Sequence, residues 1–126
     1  MRMRCLSEEI VAQISVRTAL GANGQVNVLQ GTQYEFLPPR MFPRGAFVEF
    51  GAVTDATGVL RTIQTGSDVV EEESPLNIST INVQPVYPDH FTCNDLVGPG
   101  ERINVKVRDT SGAARVVMTL VRFTPL

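Results

Sequence analysis

The segment around residue 90 holds the residue types that could act in catalysis or metal binding. His90, the one histidine of the chain, follows Asp89 and precedes Cys93 by three positions. A cysteine nucleophile needs an activating partner and an oxyanion hole, and no glycine-rich nucleophile turn stands nearby. A zinc site normally needs four ligands, or three and an open position, and the sequence has no second Cys/His cluster. We predict a loop histidine and a buried thiol that acts as a small hydrophobe.

Three consecutive carboxylates, Glu71 to Glu73, offer the hard oxygen ligands that calcium prefers. Neighbouring side chains of a strand point to opposite faces, so the three cannot all face one ion. We therefore predict a solvated acidic run, which would also protect a sheet edge against unwanted pairing.

Sites for phosphate and sugar are disfavoured as well. The turn Gly98-Pro99-Gly100 has neither the following Lys-Ser/Thr nor the helix of a phosphate-binding loop. The chain has no tryptophan and two tyrosines, so the flat aromatic faces on which sugars stack are scarce. We predict that the protein is not an enzyme and takes no cofactor.

Composition predicts one domain over residues 1–126 with a substantial apolar core. The chain has 126 residues, 43% of them hydrophobic, and a formal net charge of −2. Only Arg2 and Arg4 resemble a basic arm, so we expect no direct nucleic-acid binding. Glu8 and Glu9 interrupt the place where a signal peptide would have its apolar region, so we expect no signal peptide. No apolar run is long enough to span a membrane.

Cys5 and Cys93 are the two cysteines of the chain. With no secretory signal we expect both thiols to be reduced. The alternative is a disulfide bond between Cys5 and Cys93, which requires an N-terminal strand beside the segment around Cys93.

Apolar residues recur with period two through much of the chain, and nowhere with helical spacing over three turns. This pattern predicts seven or eight short strands in an all-β, antiparallel sandwich with a jelly-roll-like layout. Residues 1–9 are expected to be loose. The predicted strands begin with a hairpin around Asn23-Gly24, an extended stretch over 33–37 and a hairpin over 46–65, and end with strands over 103–108 and 115–123.

The segment Pro38 to Gly45 contains three prolines and is predicted to be a loop. It carries Arg40, Met41, Phe42 and Arg44, and Arg, Met and aromatic residues are enriched at protein interfaces. The loop is the best candidate for an interaction surface. The alternative is that Met41 and Phe42 pack under the end of the sandwich while the arginines are solvated.

The last third of the chain resembles the closing strands of a viral jelly roll. Gly98-Pro99-Gly100-Glu101-Arg102-Ile103 leads into one strand, and the final strand ends the sequence in Phe123-Thr124-Pro125-Leu126. Phage head-decoration (cement) proteins of this size have a similar layout. A shell-forming capsid protein would be longer and carry a basic arm, and a single-stranded RNA phage coat protein would end in helices. The resemblance therefore implies an accessory protein.

Such a protein would bind the outer surface of a phage capsid and stabilise the joints between capsid subunits. The resemblance implies synthesis in the host cytoplasm and two partners, the major capsid protein and neighbouring copies of the chain. The alternative is a non-catalytic ligand-binding sandwich, for peptide or carbohydrate. The expected contact residues are Arg40, Met41, Phe42, Arg44, Phe123, Pro125 and Leu126.

Overall fold

The computed structural model describes residues 12–79, 84–85 and 90–126, and within these ranges it contains strands and turns but no helix. The predicted all-β class is confirmed, and the nine strands found are close to the seven or eight expected. The expectations for residues 1–9 and for Cys5 lie outside the described residues. The strands are β1 (Ala12–Leu20), β2 (Gln25–Asn27), β3 (Ala46–Thr54), β4 (Val59–Thr65), β5 (Asp68–Pro75), β6 (Asn77–Ile78), β7 (Phe91–Val97), β8 (Ile103–Asp109) and β9 (Arg115–Pro125).

The strands form two sheets. Sheet one has the order β1-β9-β3-β7, and sheet two has the order β2-β8-β4-β5. All neighbours in both orders are antiparallel, and the two-residue strand β6 adds a short parallel pairing beyond β7 on the same edge of β3. In each sheet a strand from the end of the chain lies between strands from its first half. This is the strand order of a jelly roll.

The core lies between the sheets, where alternate residues of β1, β3, β4, β8 and β9 point inward. The rings of Tyr34 and Phe123 stack with centroids 4.4 Å apart and close one end of it. Small and branched side chains fill the rest, as expected where two pleated faces interdigitate. The fully buried members from the strands are Ala46, Val48, Phe50, Ile63, Ile103, Val105, Val107, Val117, Val121 and Phe123.

The predicted hairpin at Asn23-Gly24 is wrong in its pairing, although the turn itself forms. Asn23 has a positive φ of 58°, and the Gly24 amide donates to the Gly21 carbonyl at 2.9 Å. The turn carries the chain from sheet one to sheet two, since β1 pairs with β9 and β2 pairs with β8. A turn sequence fixes where the chain reverses, whereas burial decides which strand becomes the partner.

The predicted hairpin over residues 46–65 is wrong for the same reason. β3 lies between β9 and β7 in sheet one, and β4 lies between β8 and β5 in sheet two. The strands β8 and β9 form where expected, but they too belong to different sheets.

Two further segments differ from the prediction. Residues 33–37 form turns with one isolated bridge between Phe36 and Arg102 instead of an extended stretch. Residues 91–97 form β7, a strand that is not among those predicted from the sequence. Asp95 is tolerated within this strand because its Oδ2 accepts a hydrogen bond from the Thr65 hydroxyl of sheet two at 2.7 Å.

The crossing turns 21–24, 55–58 and 110–114 meet at one end of the sandwich, which we name the turn end. Asp109 is buried there and accepts hydrogen bonds from the Ser111 hydroxyl at 2.6 Å and from the Asn23 amide at 2.9 Å. The amides of Ser111 and Gly112 donate to the same carboxylate. These bonds, the Ser111 hydroxyl first, hold the pKa of Asp109 well below its ordinary value.

Asp109→Asn is expected to lower the melting temperature at neutral pH, because an amide cannot accept four hydrogen bonds as a carboxylate does. The folded-state pKa of Asp109 is lowered, so its stabilisation is present above the unfolded value of about 4 and is lost as the pH falls below it. Thermal melts of both proteins between neutral and acidic pH should therefore converge toward the acid end. Parallel curves would contradict this role.

Candidate interaction surface

Cys93, the candidate nucleophile, has the environment of a partly buried thiol. Cys93 lies in β7 and packs against the core, and its pKa is raised by burial first and then by the nearby Glu71 carboxylate. A raised pKa keeps the thiol protonated, whereas a nucleophile must be a thiolate. His90 precedes β7 directly, and Asp89 lies outside the described residues.

The acidic run is divided between different partners. Glu71 forms a two-point ion pair with Arg61, with 2.6 Å from Nε to Oε1 and 3.1 Å from the second nitrogen to Oε2. Glu73 pairs with Arg108 at 2.6 Å, while Glu72 is exposed. The prediction of a solvated run is therefore wrong for Glu71, which is largely covered, and confirmed for Glu72 and Glu73, which are exposed. Within the described ranges, no group of three or more His, Cys, Asp or Glu side chains could hold a metal ion.

Arg61 is a buried charged residue that is not among the residues predicted from the sequence to be functional. Its side chain is 1% exposed and occupies an inward position of β4, between Val59 and Ile63. A charge at an inward position of an alternating strand requires a buried partner of opposite sign, so Glu71 could have been expected to supply it. The pair fastens the outer strand β5 to β4.

The loop over residues 38–45 lies at the opposite end of the sandwich, which we name the loop end. It is joined there by the turns 66–67 and 98–102 and by Leu126. Phe42 is 2% exposed, and its ring centroid lies 5.9 Å from that of the fully buried Phe123. The expectation that these two phenylalanines form contact surface is therefore corrected, since both belong to the core. The remaining expected contact residues are exposed: Arg40, Met41, Arg44, Pro125 and Leu126.

Backbone bonds hold this loop in a fixed position. The Phe42 amide donates to Pro38 at 3.0 Å, and the Gly45 amide donates to Phe42 at 3.0 Å. The Leu126 amide then donates to the Gly45 carbonyl at 3.2 Å. Gly45 has a φ of 92°, and a Cβ there would lie 2.5 Å from the Val97 carbonyl oxygen. The exposed loop residues therefore project from a rigid support.

Phe47 and Leu96 lie near this loop on the outer face of sheet one, and Leu126 directly follows β9. Phe47 is the register partner of Leu96 in β7 and of Thr124 in β9. Phe47, Leu96 and Thr124 alternate along their strands with residues of the core, so their side chains point away from the core. Leu96 is 62% exposed and Leu126 is 56% exposed. We name Phe47, Leu96 and Leu126 the apolar strip, and the Glu49–Arg122 ion pair lies in the next outward-facing row of the sheet.

The same outer face is covered toward the turn end. The Phe91 ring lies over Gly51, where a Cβ would approach it to 2.6 Å. Gln84 accepts a hydrogen bond from the Ser15 hydroxyl at 2.8 Å. Val53 and Met118 are buried on this face, outside the main core. The outer face of sheet one is thus covered over Gly51, Val53 and Met118, whereas the apolar strip is not covered.

Exposed apolar side chains gather at the loop end. Arg102 places its guanidinium 5.9 Å from the centre of the exposed Phe36 ring. Of the seven large apolar side chains exposed in the described part of the chain, five lie at this end: Phe36, Met41, Val69, Leu96 and Leu126. Exposed apolar and aromatic side chains with arginine between them have the composition of a protein-binding surface.

Comparisons with protein-family models, curated proteins and solved structures find no match to this chain. The jelly-roll assignment therefore follows from strand order alone. In the residues that the structure describes, no helix has the length and hydrophobicity needed to cross a membrane.

Phe42→Ala is expected to reduce the free energy of unfolding by about 3–5 kcal/mol, because it leaves a cavity against Phe123. Arg44→Ala in the same loop is the matched control and should change it by no more than about 0.5 kcal/mol. Urea unfolding followed by circular dichroism measures both. A Phe42→Ala protein as stable as the parent would show that the ring is not part of the core.

Proposed function

We propose that this chain is a non-catalytic structural protein of a phage virion, a decoration protein that stabilises the head by binding between capsid subunits. The observation that carries the proposal is the loop end, where exposed apolar side chains and arginines stand on a rigid loop. The jelly-roll strand order and the sequence features of the last third of the chain direct the proposal toward virion proteins, in which small jelly rolls serve as structural parts.

The loop end suits a partner that is itself a folded protein surface. The apolar strip supplies area to bury, and Leu96 and Leu126 are more than half exposed in the isolated chain. Arg40 and Arg44 can pair with carboxylates at the rim of such a contact. The supporting loop is already ordered by its own backbone bonds, so binding costs little conformational entropy.

Stabilisation of a shell by such a protein requires no chemistry. A protein that binds only the assembled shell shifts the assembly equilibrium toward it by mass action. Many copies, each in contact with more than one capsid subunit, turn modest contacts into a large combined effect. This mechanism needs a stable scaffold and an exposed surface, and both are features of this fold.

The test is co-sedimentation with heads of the encoding phage from which the gene for this chain has been deleted. The parent protein should bind intact heads in preference to free capsid subunits. The double variant Leu96→Ser with Leu126→Ser should bind at least about tenfold more weakly, since central apolar contacts dominate such interfaces.

The matched control is Val26→Ser with Ile78→Ser, which removes two exposed apolar side chains near the turn end. Its binding to heads should equal that of the parent. Equal binding by both double variants would show that the apolar strip is not part of the contact with the head. Absence of binding by the parent protein would contradict the proposed function itself.

A further inference from the structure

β1 is an outermost strand of sheet one with an unusually regular edge. It pairs with β9 over nine consecutive residues without a register shift, and none of the described residues pairs with its other edge. The strand contains no proline and one charged residue, Arg17. A long, regular edge of this kind is a template for the addition of another strand.

The other outermost strands carry features that discourage such addition. β5 has two register shifts against β4, three consecutive glutamates and a terminal proline, Pro75. β7 has a register shift opposite Phe50 and Gly51, and β2 has three residues. Bulges, charges, proline and short length all block strand pairing. Among the outermost strands that the structure describes, β1 alone combines a length of nine residues with no register shift, no proline and no run of charges.

The inward face of β1 is incompletely covered. Ala12, Ile14 and Val16 pack against the core but remain partly exposed, unlike their counterparts in β3 and β9. These side chains are partly exposed because β1 is an outermost strand, so a neighbouring strand, β9, covers them on one side only. An added strand with an alternating apolar pattern would complete the burial of these three side chains.

We propose that the occupant of this edge is β1 of a second copy of the chain, paired antiparallel across a twofold axis. Such a pairing joins two copies of sheet one into one continuous sheet of eight long strands, with both cores on the same side. This inference concerns the free protein and goes beyond the binding of a capsid.

The length of β1 favours one register, and its charge is compatible with that register. Pairing centred on Val16 uses all nine residues of each strand and places Ile14 opposite the Thr18 of the second copy. On the outer face it places Ser15 opposite Arg17, so that the two copies of Arg17 never face each other. Pairing shifted by one residue toward the C-terminus would put the two arginines directly opposite, which is destabilising. The strand is therefore self-complementary in its longest register.

The test is the dimer dissociation constant of the full chain, measured by sedimentation equilibrium over a concentration series. Ser15→Arg places a new arginine opposite Arg17 at two symmetry-related positions and should raise this constant roughly tenfold. Ser15→Glu places a carboxylate there and should lower it by a similar factor. Both substitutions remove the hydrogen bond from the Ser15 hydroxyl to Gln84, so loss of that bond cannot explain opposite changes of the dissociation constant.

Gln64→Arg, on the outer face of sheet two, is the control for added positive charge and should leave the constant unchanged. Tightening by Ser15→Glu cannot arise from misfolding, so it distinguishes a charge effect from loss of structure. A parent protein that stays monomeric throughout the series would overturn the proposal. A dimer whose constant does not respond to either substitution of Ser15 would also overturn this register and surface.

Discussion

Burial of one face of each sheet against the other is the interaction on which the rest of the structure depends. Most connections between the described strands cross from one sheet to the other, so most strands have hydrogen-bonding partners from distant parts of the chain. Neither sheet can therefore form without the other. The inward charge of Arg61 is compatible with this core because Glu71 provides a two-point partner beside it. Removal of the carboxylate alone would leave a buried charge without its counterion.

The sequence predicts which residues face the core better than it predicts which strands pair. The alternation of Ile103, Val105 and Val107 identifies β8 and its buried face directly. Period two assigns faces, but it carries no information on partners, and local turn signals then favour the nearest strand. The hairpins expected around Asn23 and over 46–65 are wrong for this reason.

The failure to predict β7, and the expectation that Phe42 and Phe123 are contact residues, have a different cause. β7 is polar at Asn94 and Asp95, and the hydrogen bond from Thr65 that makes Asp95 acceptable is a tertiary contact. Phe42 lies in a proline-rich loop, and the composition of this loop predicts an interaction surface. Its position is set by the Phe123 ring, 81 residues further along the chain (123 minus 42). Long-range packing of this kind has no local signature.

The core and the candidate surface share one origin. The alternation that buries Ala46, Val48 and Phe123 directs Phe47, Leu96 and Thr124 outward in a single row. Fixing Phe42 in the core in turn orders the loop that presents Arg40, Met41 and Arg44. A substitution in the core is therefore expected to disturb the surface, whereas a substitution on the surface can leave the core unchanged.

Our proposal of a head-decoration protein requires a phage genome that carries this gene, and cryo-electron microscopy of intact heads of that phage is the decisive measurement. The account predicts density for this jelly roll on the outside of the head at joints between capsid subunits. The loop end, with the apolar strip, should face the shell. Heads without this density, or density in which the loop end faces solvent, would contradict the account.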